Sequence, residues 1–235
     1  MKRRTFVKGA AAALPAVAVL GFPDLGLAGE LQPINLPKPD MADGTSLLAA
    51  LKERRTTRNI SPDPLPLQTL SNLLWAAFGV NRPDAGLLMG KPGRTAPSAS
   101  NSQEIDLYVC LEKGIYVYEG VPHRLVPVAA GDFRGRAGRS PAEKAPVNIF
   151  YVVDLTKYVV GKGQPDRSIG DPEVQKSYYY TDTGFIAQNV YLFAASQGLA
   201  AWFHNCDKVN TPGDFKLRPG QRVLFAQTVG YPAKT

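Results

Sequence analysis

Cysteine and histidine are scarce in this 235-residue chain: Cys110 and Cys206, His123 and His204. They form no cluster at ligand spacing, so the sequence predicts no zinc or haem site. A Cys110–Cys206 disulfide and two free thiols are both open, although Cys110 lies in an alternating apolar run and reads as a buried strand residue. Long apolar runs are missing too. A membrane helix needs ~20 mostly apolar residues, whereas the stretch from Gly9 to about Leu20 is broken by Pro15 and followed by Gly21. No internal repeat is present. No basic tract is interleaved with aromatics, which argues against nucleic acid as a partner.

What is present begins at the N-terminus. Lys2, Arg3, Arg4 and Lys8 form a basic head, an alanine-rich stretch follows, and Gly26-Leu27-Ala28 sets small residues at a signal-peptidase site. KRRTFVK resembles the twin-arginine export pattern: Arg3, Arg4, Phe6 and Lys8 match, while Lys2 replaces the usual Ser or Thr and Val7 replaces Leu. The sequence therefore predicts a twin-arginine signal over residues 1–28, weighed above an uncleaved tether, and a periplasmic destination. The signal holds four Lys/Arg and one acid, so the formal +7 of the whole chain falls to +4 without it. A small excess of this kind does not by itself imply an anionic partner.

Residues 29–44 are rich in proline and polar groups and predict an extended arm, leaving 45–235 as one domain. Helices are expected over Ser46 to about Arg55, with Leu47, Leu48 and Leu51 on one face, and over Leu67–Phe78. The stretch from Asn81 to Asn101 reads as loop. Strands follow from Ile105, with turns at Lys113-Gly114 and Glu119-Gly120 that make a meander, and another runs over Val147–Val153. The longest helix spans about Pro172–Gln197 and is closed by Gly198, with Phe185, Ile186, Asn189, Val190, Phe193 and Ala194 along one side. Leu199–Phe203 and Arg222–Val229 look like buried strands, with a short helix near Pro212–Leu217 between them. Helices and an antiparallel meander without βαβ regularity make the fold class α+β.

Four distant segments carry the chemistry. Arg54-Arg55-Thr56-Thr57-Arg58 supplies guanidinium and hydroxyl donors suited to a phosphate monoester; taken alone, it is better explained as a solvated helix end. Pro97-Ser-Ala-Ser-Asn-Ser-Gln103 is a loop of small polar groups that a flat polar ring can approach closely. Asp182-Thr-Gly-Phe-Ile-Ala-Gln-Asn189 places a glycine in mid-helix, at a cost of ~1 kcal/mol relative to alanine, which points to close packing of Gly184. The fourth is Gly198-Leu-Ala-Ala-Trp-Phe-His-Asn205, with Gly230-Tyr-Pro232 after the last strand.

These motifs, in this order over roughly Leu47–Pro232, resemble the FMN-dependent nitroreductase family. The hairpin GIYVYEGVPHRLVPV is most similar to its SagB-type branch of peptide azoline dehydrogenases. The resemblance implies an α+β homodimer with a mostly antiparallel central sheet and FMN at the dimer interface. It implies that Arg54, Arg55, Thr56 and Arg58 hold the phosphate and ribityl chain, and that Lys234 adds a late basic contact. Pro97, Ser98, Ala99 and Asn101 would touch the same flavin from the partner subunit, with Gln103 nearby. His204 and Asn205 fall beside flavin N5, and His204 is the one candidate proton donor there, although a packed neutral histidine is the plainer expectation. Ala99 stands where a second serine is common, and His204-Asn205 replaces Glu-Gly or Gly-Gly. The resemblance implies a two-step hydride carrier of unknown substrate. A dehydrogenase acting on a peptide-derived substrate, a flavin-binding carrier or assembly subunit without turnover, and a member that has lost its flavin are the rivals.

Overall fold

The structure, a computed structural model, describes residues 31–235 except 41, 43, 85–89, 139, 162–165 and 235. The expected export signal and the start of the arm lie outside the described residues.

The arm is extended, as its prolines dictate, and contributes a two-residue strand, β1 (Ile34–Asn35). Helix α1 (Leu47–Glu53) begins where Ser46 Oγ accepts the Ala49 amide at 3.2 Å. Its leucines do not enter the core. Leu47, Leu48 and Leu51 are exposed, and of this helix only Ala50 is buried. Helix α2 (Leu67–Phe78) does bury the expected stripe of Leu70, Leu73, Leu74, Ala77 and Phe78. The region expected to be pure loop contains a small ribbon, β2 (Val80–Arg82) with β3 (Gly93–Arg94), and then a tight turn at Ala99–Asn101.

The meander forms β4 (Ile105–Leu111), β5 (Gly114–Glu119) and β6 (Arg124–Ala130), followed by β7 (Val147–Asp154). Helix α3 (Pro172–Ser196) starts at an Asp171 cap and leads through Gly198, at φ +65°, into β8 (Ala200–His204). A short turn of helix, α4 (Thr211–Asp214), precedes β9 (Gln221–Gly230). The seven-stranded sheet has the order β1-β6-β5-β4-β7-β9-β8, and every neighbouring pair is antiparallel. The fold is α+β, as expected.

Both faces of the sheet are covered, so the period-two alternation of β4 is not an alternation of wet and dry. On one face Leu73, Leu74, Ile186 and Val190 pack against Val109, Ile149 and Tyr151. On the other, Cys110, Phe150 and Val152 lie under Phe215, whose ring stacks on Tyr108 with centroids 5.5 Å apart. Cys110 and Cys206 are both free thiols. Of the residues expected along one side of α3, Ile186, Val190 and Ala194 are buried while Phe185 is exposed; Tyr179, Asp182, Thr183 and Ala187 are buried as well. Among the described residues no helix is long and apolar enough to cross a membrane.

Candidate functional site

The Arg54–Arg58 segment leaves α1 and runs between α3 and the open edge of β8. Strand β8 ends the sheet, so its outer backbone groups are free for other partners. One of them, the Ala201 carbonyl, accepts the Thr57 amide at 2.9 Å. Another, the Phe203 amide, donates to the Tyr191 hydroxyl at 2.8 Å, and that hydroxyl lies 3.0 Å from Thr56 Oγ1. The Arg54 guanidinium lies over the Tyr191 ring and that of Arg58 over the Trp202 ring, at 5.5 and 5.7 Å from the centroids. Arg55 is different, because its guanidinium is paired with Glu53 at 2.7 Å in the open. The C-terminal segment joins the same rim. Ile60 bridges to Pro232, and the Ala233 amide donates to the Asn59 carbonyl at 3.0 Å, so the backbone leading to Lys234 runs antiparallel to that leading from Arg58. Gly230 permits this approach, since a Cβ there would stand 2.7 Å from Ile60 Cγ2. Among the described residues no carboxylate lies within ion-pair distance of Arg54, Arg58 or Lys234. A cleft of about 500 Å³, lined in part by Arg55, Thr57, Tyr191, Ala201 and Pro232, opens here.

His204 packs against Trp202 with ring centroids 4.2 Å apart. Its Nδ1 faces the Asn205 carbonyl at 2.7 Å and its Nε2 the Thr228 hydroxyl at 2.8 Å; Thr228 Oγ1 is in turn 2.6 Å from Asn148 Oδ1. A carbonyl only accepts, so Nδ1 carries the proton. Burial pushes the His204 pKa down, which favours the neutral ring. The single Thr228 hydrogen is donated to Asn148 Oδ1, whose amide N–H donates to the Ala142 carbonyl, so toward Nε2 the hydroxyl offers a lone pair. A proton placed on Nε2 would be accepted by the Thr228 oxygen.

The Pro97–Gln103 loop lies elsewhere on α3. The Ala99 amide donates to Asp182 Oδ2 at 2.8 Å, and Asp182 and Tyr191 are nine positions apart, ~13.5 Å along the helix axis. Small side chains at Ser98, Ala99 and Ser100 leave the loop half open. Gln103 is buried, and its amide is fully engaged: Oε1 accepts from Arg94 Nε at 2.8 Å, and Nε2 donates to the Pro92 carbonyl and to Asn101 Oδ1. Asn101 Nδ2 reaches the Lys91 carbonyl at 3.3 Å. Both amides expected near a ligand therefore brace the loop itself.

One chain thus gathers Arg54, Arg55, Thr56, Arg58, His204, Asn205 and Lys234 at one place, and Pro97, Ser98, Ala99, Asn101 and Gln103 at another. The residues that organise both places, Tyr191, Thr228 and Glu104, carried no motif signal. Tyr191 alone offered a hint, as a polar-tipped aromatic within an apolar helix. A larger cleft of about 950 Å³, bounded by Leu65, Leu111, Tyr116 and Val147, contains none of the expected site residues. Among the described residues no group of three or more His, Cys, Asp or Glu side chains can hold a metal ion.

The nitroreductase family model matches residues 51–231, which contain both places just described apart from Lys234. The chain belongs to the nitroreductase family. It is 28% identical over 179 residues to a protein of Methanocaldococcus jannaschii that carries a provisional nitroreductase name, with 73% of this chain and 82% of that protein covered. A provisionally named nitroreductase from Ralstonia eutropha JMP134 superposes with a TM-score of 0.75 at 32% identity, covering 89% of this chain and 93% of that one. The Escherichia coli microcin synthetase McbBCD complex, solved with truncated pro-MccB17 bound, shares the fold at a TM-score of 0.62 and 20% identity, with 77% of this nitroreductase-family chain and 70% of that chain covered. Members of the family are generally flavin oxidoreductases.

Proposed function

We propose that this nitroreductase-family chain is an exported, FMN-dependent oxidoreductase that works as a homodimer. The observation that carries the flavin reading is the rim of unpaired cations, Arg54, Arg58 and Lys234, set beside the Thr56 and Thr57 hydroxyls on an open strand edge. This donor set fits a phosphate monoester followed by a polyol. Arg54, Arg58, Thr56 and Lys234 would hold the phosphate end, with Arg55 joining them if it gives up Glu53. His204 and Asn205 would lie along the ring. When bound, the flavin supplies hydride transfer at N5, and the protein supplies orientation and charge. His204 is suited to hold or release a proton at Nε2 through the Thr228 hydroxyl.

The homodimer is supported by what α3 leaves uncovered. From Ser177 to Ser196 its only charged side chain is the buried Asp182, and its outer face shows Tyr180, Gly184, Phe185 and Gln188. Outside the adjoining turns of α3 itself, no atom of the described residues lies within 4 Å of where a Gly184 Cβ would stand. The exposed Leu47, Leu48 and Leu51 of α1 lie on a helix that packs against α3. A second copy seated on this surface would explain the mid-helix glycine, and would bring the Pro97–Ala99 loop of one subunit to the cationic rim of the other.

Export is supported by the KRRTFVK motif. The twin-arginine route carries folded proteins, which suits a domain that must take up its flavin inside the cell. It also places the protein where nicotinamide cofactors are scarce. A SagB-type dehydrogenation, with substrate oxidised and electrons passed onward, is the second reading; the hairpin between β5 and β6 and the fold shared with the microcin synthetase complex favour it.

The deciding experiment is the absorbance spectrum of signal-free protein followed by anaerobic titration with NADH, NADPH and a quinol analogue. Bleaching by one donor and reoxidation by an acceptor is expected. A yellow protein that no donor bleaches would be a carrier, and a colourless folded protein would end the flavin reading.

A further inference from the structure

Two carboxyl groups are buried together behind the Pro97–Gln103 loop. Glu104 is 0% exposed and Asp182 2%. Asp182 Oδ2 accepts the Ala99 amide, and Glu104 Oε2 accepts the Ser102 hydroxyl at 2.5 Å. Glu104 Oε1 is buried without a hydrogen-bond donor among the described residues. Its neighbours are the Asp182 carboxyl and the Tyr158 hydroxyl, and that hydroxyl donates to the Gln175 carbonyl at 3.2 Å. The surrounding cations have other partners. Lys91 is held by the Ser102 carbonyl, Arg94 by Gln103 and the Phe78 carbonyl, and Lys157 by Asp106 and the Gln103 carbonyl. Tyr179, the other titratable group of α3 on this side, is also buried. Among the described residues neither carboxyl has a salt bridge, so two full negative charges here would face each other out of water.

The loop they hold is conformationally costly. Ser100, Asn101 and Gln103 all adopt φ near +50°, a left-handed region that non-glycine residues enter only when their surroundings enforce it. The two carboxyls grip the loop just before this stretch, at Ala99, and within it, at Ser102.

We propose that Glu104 and Asp182 share one proton, and that this acid pair is the latch that holds the Pro97–Gln103 loop in shape. Both act as positioning residues. The latch stands on the geometry of this chain alone; that the loop presents itself to flavin rests on the function proposed above. Burial first, and Glu104 second, push the Asp182 pKa up to about 8, so the latch is closed at neutral pH and opens as the second charge forms. A carboxyl whose folded pKa is raised stabilises fully below its unfolded value near 3.8, and that contribution is lost as pH rises to about 8.

The test uses the purified full chain, stripped of flavin, in denaturant melts across this range and in amide exchange at Ala99 corrected for the intrinsic pH effect. Asp182→Asn and Glu104→Gln each put a permanent N–H where the shared proton lies. Both variants are expected to keep Ala99 protected and to flatten the decline in stability between pH 4 and pH 8; if one fails to fold, the other serves. Wild-type Ala99 exchange is expected to rise by about tenfold above pH 8, as a lost hydrogen bond predicts. Variants with the wild-type slope would overturn the shared proton. Unchanged Ala99 exchange across pH 8 would overturn the latch. Flavin affinity, measured separately by FMN titration, should weaken above pH 8 in the wild type alone; a latch that opens without any change in FMN affinity would sink the flavin-facing role of the loop and leave the latch standing.

Discussion

The Tyr191 hydroxyl accepts the Phe203 amide at 2.8 Å, joining the middle of α3 to the open edge of the sheet. The same oxygen touches Thr56, so one phenol fixes the strand and the cationic segment together. Tyr191→Phe leaves the Phe203 amide without its partner. A stability loss of about 1–3 kcal/mol is expected, together with reduced flavin in the purified protein. Denaturant melts and the flavin absorbance check both; a fully flavinated variant of wild-type stability would show that the link is dispensable.

The three arginines of the rim should separate by function. Arg54 and Arg58 lie over aromatic rings without a carboxylate, whereas Arg55 is paired with Glu53. Changing Arg54 and Arg58 to Ala together removes charge-assisted contacts worth about 1.5–3 kcal/mol each and should yield apo-protein. Arg55→Ala should cost far less FMN affinity. Equal losses in a titration with FMN would contradict the assignment.

Gly184 gives a test of opposite signs. Within one chain nothing crowds its missing side chain, so Gly184→Leu should raise the stability of a monomer by up to about 1 kcal/mol through helix propensity. In a dimer packed on α3 the same side chain intrudes. Sedimentation of wild type as a dimer and of the variant as a monomer is expected. Identical sedimentation of the two would remove α3 from the interface.

His123 ties the arm to the domain, a role its sequence context did not suggest. The Ser71 hydroxyl donates to the Pro37 carbonyl at 2.5 Å and accepts from His123 Nε2–H at 2.7 Å, while Nδ1 accepts from the Tyr118 hydroxyl at 2.8 Å. These roles require the neutral ring, and burial lowers its pKa. Stability from this group is present above the ordinary histidine range and is lost as pH falls through it. His123→Gln keeps a donor toward Ser71 but cannot titrate, so its melts between about pH 7.5 and pH 5 should decline less steeply than those of the wild type. Because the Asp182 effect runs the other way, the variant must be compared at each pH, and matching slopes would refute the prediction.

How much was legible in the sequence follows from the range of the interactions involved. The limits of α2 and α3, the meander and the α+β class followed from periodicity, glycine caps and turn residues, which act within a few positions. The order of the motifs was enough to indicate the family, since each keeps its own local chemistry. The exposure of the α1 leucines was not legible, because a periodic stripe shows that a face is apolar without showing what covers it. Gln103 looked like a ligand contact because an amide reads the same whether it meets a ligand or Arg94.

The sequence by itself determined the elements, the family and the two groups of candidate residues, because helix periodicity, turn chemistry and charge are carried locally. Only the tertiary structure decided that those groups attach to α3 at Tyr191 and Asp182, ~13.5 Å apart along its axis, that Arg55 is paired while Arg54 and Arg58 are not, and that Glu104 meets Asp182 under a strained loop. Such relationships join residues far apart in the chain, 135 positions for Thr56 and Tyr191, and only packing sets the distance between them.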